Sequence, residues 1–140
     1  MVYLDTSVVV ALFIPEPSTA RVSDWFERST DTAVSSDWLL TEFASALAVK
    51  TRRGELSPRH AKAAWDEFSS LAQSGVRLLP LDRDGFSQAS ELVRSARSPL
   101  RAGDALHLAV ALQAGARTIA TADSRLATGA EACGLNVERF

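Results

Sequence analysis

Short apolar runs alternate along the chain with longer stretches whose apolar residues recur at helical spacing. Val2-Tyr3-Leu4 reads as a strand, ended by Asp5-Thr6-Ser7, where Asp and Ser can cap a following helix. Pro15 and Pro17 break that helix, and Ser18 to Ser29 holds another, with Val22, Trp25 and Phe26 on one face. Ala33-Val34-Ser35 predicts a second strand. Asp37 stands where it would cap a helix through about Thr51, which Gly54 closes. Ser57-Pro58 opens the next helix, with Pro where its missing N–H costs nothing. Ala61, Ala64, Trp65, Phe68 and Leu71 form its apolar stripe. Val76 to Leu81 predicts a third strand, and Asp82 caps a helix to about Ser98. Asp104 to Ala114 is the most apolar helix, Thr118 to Thr121 a fourth strand, Asp123 to Cys133 a helix, and Leu135-Asn136-Val137 a last strand.

Strands separated by helices need crossover connections, which predicts an α/β fold with a parallel sheet covered on both faces. At 140 residues the chain has the size of one domain, 1–140. Sheets of this kind bind ligands beyond the carboxyl ends of their strands, so the residues just after each strand carry the functional question.

Composition narrows the classes. Hydrophobic residues at 46% and charged residues at 23% exclude a disordered chain. The longest apolar run, Val8 to Ile14, is far shorter than the roughly 20 residues that span a bilayer. Met1 is followed by no basic n-region and no small-residue cleavage site, so no secretory signal is expected. A single cysteine, Cys133, rules out an internal disulfide framework, and two histidines argue against structural zinc. A cytoplasmic protein with no membrane association is the expectation.

The net charge of −2 does not hold nucleic acid by bulk attraction. Of the fifteen basic residues, however, all but Lys50 and Lys62 are Arg, the better bidentate phosphate ligand. Lys50, Arg52 and Arg53 form one basic group, and Arg94, Arg97 and Arg101 another. These read either as solvated helix ends or as contacts for a nucleic acid.

Five acids fall at positions of interest: Asp5, Asp82 and Asp123 after strands, and Glu42 and Asp104 in helices. Any Asp after a strand can simply cap the next helix, and Asp82 reads that way. Glu42 differs, because its helical neighbours Trp38, Leu39, Ser45, Ala46 and Val49 carry no charge. A carboxylate there needs an Arg from elsewhere or a cation. Asp104 opens a helix whose dipole favours its ionised form. His107, three residues on, can hydrogen-bond Asp104 or a main-chain carbonyl as a supporting group, or serve directly as ligand or base.

Asp5, Glu42, Asp104 and Asp123 gathered at the switch-point end of the strands would repel one another, raising pKa values or demanding a counter-ion. Hard oxygen donors with few histidines fit Mg²⁺ or Mn²⁺, and such ions serve phosphodiester chemistry. Without these four acids the rest of the chain is at +2.

Four segments, VYLDTSVVVALF, LLTEFASALA, RAGDALHLAVALQAG and TIATADSRLATGAEACGLNV, resemble in order and spacing the PIN-domain ribonucleases, most closely the VapC toxins of toxin–antitoxin pairs. The resemblance covers essentially the whole chain. It implies a three-layer α/β/α fold with a central five-stranded parallel sheet, and Mg²⁺ or Mn²⁺ in an acidic cleft. The family's acids fall on Asp5, Glu42, Asp104 and Asp123, with Asp5 and Asp104 as primary ligands and Glu42 and Asp123 ligating directly or through water. Thr6, Ser7 and Thr121 match the small hydroxyl positions that orient a carboxylate or water. The implied activity is endoribonuclease hydrolysis: a metal-activated water attacks an RNA phosphodiester in line with the leaving 3′ oxygen, leaving a 5′ phosphate. Arg52, Arg53, Arg97 and Arg101 would steer the RNA. A VapB-like antitoxin and a homodimer are the implied partners, with Val9, Leu12, Phe13, Ile14, Trp25 and Trp38 as partner surface or ordinary core. An RNA-processing PIN nuclease that is not a toxin, and a non-catalytic PIN-like binding module, remain the alternatives. An aspartyl-phosphate phosphatase would want a second Asp where Ser7 stands, and a Lys at a strand end.

Overall fold

Alternation within the first strand divides the interior in two. In the computed structural model, which describes residues 1–95 and 99–140, β1 (Val2–Leu4) turns Val2 and Leu4 into one apolar cluster and Tyr3 into the other. Next in chain order come α1 (Thr6–Phe13), α2 (Thr19–Arg28), β2 (Ala33–Ser36), α3 (Trp38–Arg52), α4 (Pro58–Ser74) and β3 (Arg77–Leu79). After these come α5 (Arg83–Arg94), α6 (Ala102–Gln113), β4 (Thr118–Thr121), α7 (Ser124–Ala132) and β5 (Asn136–Arg139). The strands form one sheet in the order β3-β2-β1-β4-β5, and every neighbouring pair is parallel. Tyr3 is in register with Val34 on one side and Ile119 on the other. The three-layer α/β/α architecture expected from the sequence is the one found.

Helices α1 to α4 cover one face through Val8, Val9, Val22, Leu39, Phe43, Leu47, Ala64 and Phe68. Helices α5 to α7 cover the other through Ala89, Leu106, Leu108, Val110 and Leu126. Phe43 and Phe68 stack with centroids 4.1 Å apart and Phe13 meets Phe43 edge-on, which locks α3 to α1 and α4. That packing fixes the rotation of α3, and with it the direction in which Glu42 leaves the helix.

Several boundaries differ from the sequence reading for identifiable reasons. Asp37 takes a helical conformation and its side chain caps nothing; its amide instead donates to the Leu79 carbonyl at 2.9 Å, tying the end of β2 to β3. Helix α6 starts two residues before Asp104, which lies inside its first turn. Strand β3 stops at Leu79, before Pro80, which has no N–H for the ladder. Strand β5 runs Asn136–Arg139, paired residue for residue with β4. Helix α5 is described to Arg94, and its expected end near Ser98 lies outside the described residues. Gly54 ends α3 with φ +73°, a conformation in which other residues are strained. Among the described residues no helix is long and apolar enough to cross a membrane.

The apolar residues considered as partner surface belong largely to the core. Val9 and Ile14 are buried, Leu12, Phe13 and Trp25 pack partly buried on the first cluster, and Trp38 on the second.

Candidate active site

Strand order reverses at β1, which has β2 on one side and β4 on the other, so a crevice opens beyond the ends of β1 and β4. Asp5 follows β1 and Asp123 follows β4 by two residues, one on each lip. Asp5 is buried at 6% exposure, and its amide donates to the Ala120 carbonyl at 3.1 Å. Its Oδ2 accepts from Ser7 Oγ at 2.5 Å, Thr121 Oγ1 at 2.8 Å and the Ser7 amide at 3.4 Å. The same two hydroxyls accept on their other side: Thr121 Oγ1 from the Asp123 amide at 2.9 Å, Ser7 Oγ from the Ala122 amide at 2.8 Å. Ser7 and Thr121 thus join the two lips through Asp5. Asp123 Oδ1 caps α7, accepting from the amides of Arg125 at 2.7 Å and Leu126 at 3.2 Å.

Glu42 reaches the crevice from α3. Its Oε2 accepts from Thr6 Oγ1 at 2.6 Å and lies 2.8 Å from His107 Nε2. His107, wholly buried on α6, has Nε2 2.9 Å from Thr6 Oγ1 and Nδ1 2.8 Å from the Tyr3 hydroxyl. Asp104 Oδ2 accepts from the Arg101 amide at 2.9 Å across the first turn of α6. Among the described residues Glu42 therefore meets neither an Arg nor a bare apolar wall, because His107 and Thr6 face its Oε2. The sequence reading paired His107 with Asp104 or a main-chain carbonyl. The structure pairs it with Glu42, Thr6 and Tyr3, since β1 and α3 lie against the face of α6 that His107 occupies.

All four acids share one arrangement. One carboxylate oxygen is held by protein donors, and no hydrogen bond among the described residues reaches the other: Asp5 Oδ1, Glu42 Oε1, Asp104 Oδ1 and Asp123 Oδ2. Asp5 Oδ1 lies 3.7 Å from His107 Nε2. Around Glu42 Oε1 the backbone is bare: a Cβ at Gly103 would stand 2.6 Å from it. Ligand atoms of Asp5, Glu42 and His107 lie within 4.8 Å of one another.

Asp104 feels the charge of the other three acids. Burial pushes the Asp104 carboxyl up, and the charges of Asp123, Asp5 and Glu42 push it further, outweighing the Arg101 hydrogen bond. Burial acts on Glu42 in the same sense, but the hydrogen bond and charge of His107, with the Thr6 hydroxyl and the neighbouring Trp38 indole, hold it below its ordinary value. Burial raises the Tyr3 hydroxyl far beyond neutral pH, so it keeps its proton. Hard oxygen acceptors with spare lone pairs, mutual repulsion and, among the described residues, no ammonium or guanidinium paired to any of them suit a divalent metal cation.

Beside the carboxylates runs a cleft of about 530 Å³, lined by Thr6, Ser7, Val10, Arg21, Ala122 and Phe140 among others. The expected RNA-steering arginines divide. Arg101 stands at the site's margin through its amide contact with Asp104. Arg52 and Arg53 end α3 about 15 Å along the helix axis from Glu42, and Arg53 pairs with Glu55 at 3.9 Å. Arg97 lies outside the described residues. Asp82 caps α5 through the Gly85 amide at 2.9 Å, as expected. Tyr3 and Gly103 were not singled out from the sequence. A buried tyrosine hydroxyl always needs a partner, and that was the available signal for Tyr3.

The profile describing PIN domains matches residues 2–131. Among curated proteins no sequence match is found. Similar solved structures include VapC20 of Mycobacterium tuberculosis, a Sarcin-Ricin loop cleaving toxin, at 23% identity and TM-score 0.74 over 96% of each chain. FitAcB from Neisseria gonorrhoeae matches at 19% identity and TM-score 0.66, over 98% of this chain and 96% of that one. VapBC2 from Rickettsia felis, bound to a DNA fragment from its promoter, matches at 16% and 0.67, over 99% and 98%. At these identities the likeness is one of fold.

Proposed function

The chain belongs to the PIN-domain family, and from that premise we propose that it is a divalent-metal-dependent endoribonuclease of the VapC toxin type. The observation that carries this reading is that four carboxylates, two of them just beyond the ends of the inner strands β1 and β4, each have one oxygen held by protein donors and one that no hydrogen bond among the described residues reaches. Asp5 and Asp104 would hold Mg²⁺ or Mn²⁺, with Glu42 and Asp123 reaching it directly or through water. When bound, such an ion would make a water more acidic and offset charge on the phosphodiester. The chain's own residues do the positioning. Ser7 and Thr121 keep Asp5 Oδ2 occupied so that Oδ1 faces the crevice, and Thr6 does the same for Glu42. The adjoining cleft, which Arg21 helps to line, would receive the RNA strand, and Arg101 stands beside Asp104.

By analogy with the toxin and toxin–antitoxin structures that share this fold, a VapB-like antitoxin, a homodimer and a cytoplasmic setting complete the proposal. The test is cleavage of RNA by the purified chain in Mg²⁺, Mn²⁺ or EDTA, beside Asp5→Asn and Asp104→Asn. Cutting should require metal, leave 5′ phosphates, and fall about 100-fold or more in each variant. Cutting that survives EDTA, or that both variants retain, would overturn it.

A further inference from the structure

The donors around Glu42 can be counted proton by proton. The Thr6 hydroxyl has one hydrogen, and at 2.6 Å it goes to Glu42 Oε2. Toward His107 Nε2, 2.9 Å away, the Thr6 oxygen is therefore an acceptor. Glu42 Oε2, 2.8 Å from the same nitrogen, already accepts the Thr6 hydrogen and has only lone pairs to offer His107. Both neighbours of Nε2 thus require a proton on it, shared between them. A protonated ring nitrogen has no lone pair to give a cation. Although His107 stands within ligand distance of Asp5 and Glu42, it cannot coordinate while this arrangement holds.

We infer that His107 is a positioning residue for Glu42 rather than a ligand of the cation: Nε2–H pins Oε2, and the Tyr3 hydroxyl anchors the ring at Nδ1. This rests on the metal reading of the site given above. The imidazole is wholly buried, edge-on to the Tyr3 ring at a centroid distance of 5.7 Å, and so cannot swing its nitrogens to new partners. With Oε2 taken by Thr6 and His107, Glu42 presents Oε1, on the side where Gly103 has no side chain. A histidine that orients a ligating carboxylate from behind acts on metal affinity without touching the metal.

The test has two arms on the full chain. In ¹⁵N-labelled protein, the imidazole spectrum of His107, told from His60 by its absence in His107→Gln, should show a hydrogen on Nε2. That hydrogen should persist at saturating Mg²⁺. An unprotonated Nε2, without metal or with it, overturns the inference. Mn²⁺ affinity by calorimetry provides the second arm. Gln places an amide donor where Nε2 stands, so His107→Gln should bind Mn²⁺ within about 3-fold of wild type, while His107→Asn, whose amide falls at Nδ1, should bind about 10-fold or more weaker. Equal affinity in the Gln and Asn variants overturns it. Where these variants fail to fold, Tyr3→Phe, which removes only the anchor, should still weaken Mn²⁺ binding by a few-fold. Glu42→Gln separates the two claims: if it binds Mn²⁺ like wild type, the metal role of Glu42 fails, and the Nε2 spectrum still decides where the proton lies.

Discussion

Gly103 occupies a position in α6 where any side chain would press on Glu42. A Cβ there would lie 2.6 Å from Oε1 and 3.4 Å from Trp38 Nε1. Helix propensity alone favours Ala over Gly by up to about 1 kcal/mol. Gly103→Ala should therefore melt at or above the wild-type temperature while metal-dependent cleavage falls about 10-fold or more, because the displaced group is a carboxylate and not backbone. Full activity in that variant would remove Oε1 from the site. Asp104 supplies a second test through pH. Its folded pKa is raised by burial and by three neighbouring acids, so above the ordinary carboxylate range the folded chain holds more protons than the unfolded one. Stability of the metal-free protein should fall as pH rises through that interval. Glu42, held low, contributes the opposite way: its stabilisation is present above its ordinary value and is lost as pH falls through its lowered one. Thermal melts in EDTA should show Asp104→Asn more stable than wild type at neutral pH and converging with it in acid. The acids were legible in the sequence because uncharged helical neighbours left Glu42 unexplained. Tyr3 and Gly103 were not, since each matters only through a contact with another element.

Helix α7 carries a double duty in its first residues. Asp123 caps it through Oδ1, and no hydrogen bond among the described residues reaches Oδ2. Loss of an N-cap costs about 1 kcal/mol. Asp123→Ala should lose both stability and cleavage, whereas Asp123→Asn should keep the cap, unfold near the wild-type denaturant midpoint, and lose cleavage. Equal destabilisation in the two would mean that charge, and not capping, holds the helix start. Caps that depend on local chain were readable in advance: Asp5, Ser57, Asp82 and Asp123 all accept from an amide two or three residues on. Asp37 looked the same in sequence, but tertiary pairing with Leu79 took its backbone into a different role. Likewise, Asp104 seemed to open α6, yet its carboxylate reaches back to the Arg101 amide and lets the helix begin earlier.

Across the whole molecule, parallel strands and covered faces followed from the alternation of strand and helix, while the order β3-β2-β1-β4-β5 did not. Order is set by which non-local edges meet, and apolar periodicity carries no record of that. The order nevertheless decides the function, since it puts the ends of β1 and β4 side by side and brings residues 5 and 123 to one crevice. It also concentrates charge: a chain at −2 overall gathers four of its seventeen acids there. A bound divalent cation relieves that repulsion, so Mn²⁺ at 100 times its dissociation constant should stabilise the fold by about 2.7 kcal/mol relative to EDTA.

The central claim is that the four spare oxygens face one cation. Anomalous diffraction from a crystal of the full chain grown with Mn²⁺ measures this directly. The expected result is a peak in the crevice between β1 and β4, within about 2.0–2.3 Å of Asp5 Oδ1 and Asp104 Oδ1, with Glu42 and Asp123 bound directly or through water and His107 Nε2 outside the coordination sphere. A peak elsewhere, or one coordinated by His107, would contradict it.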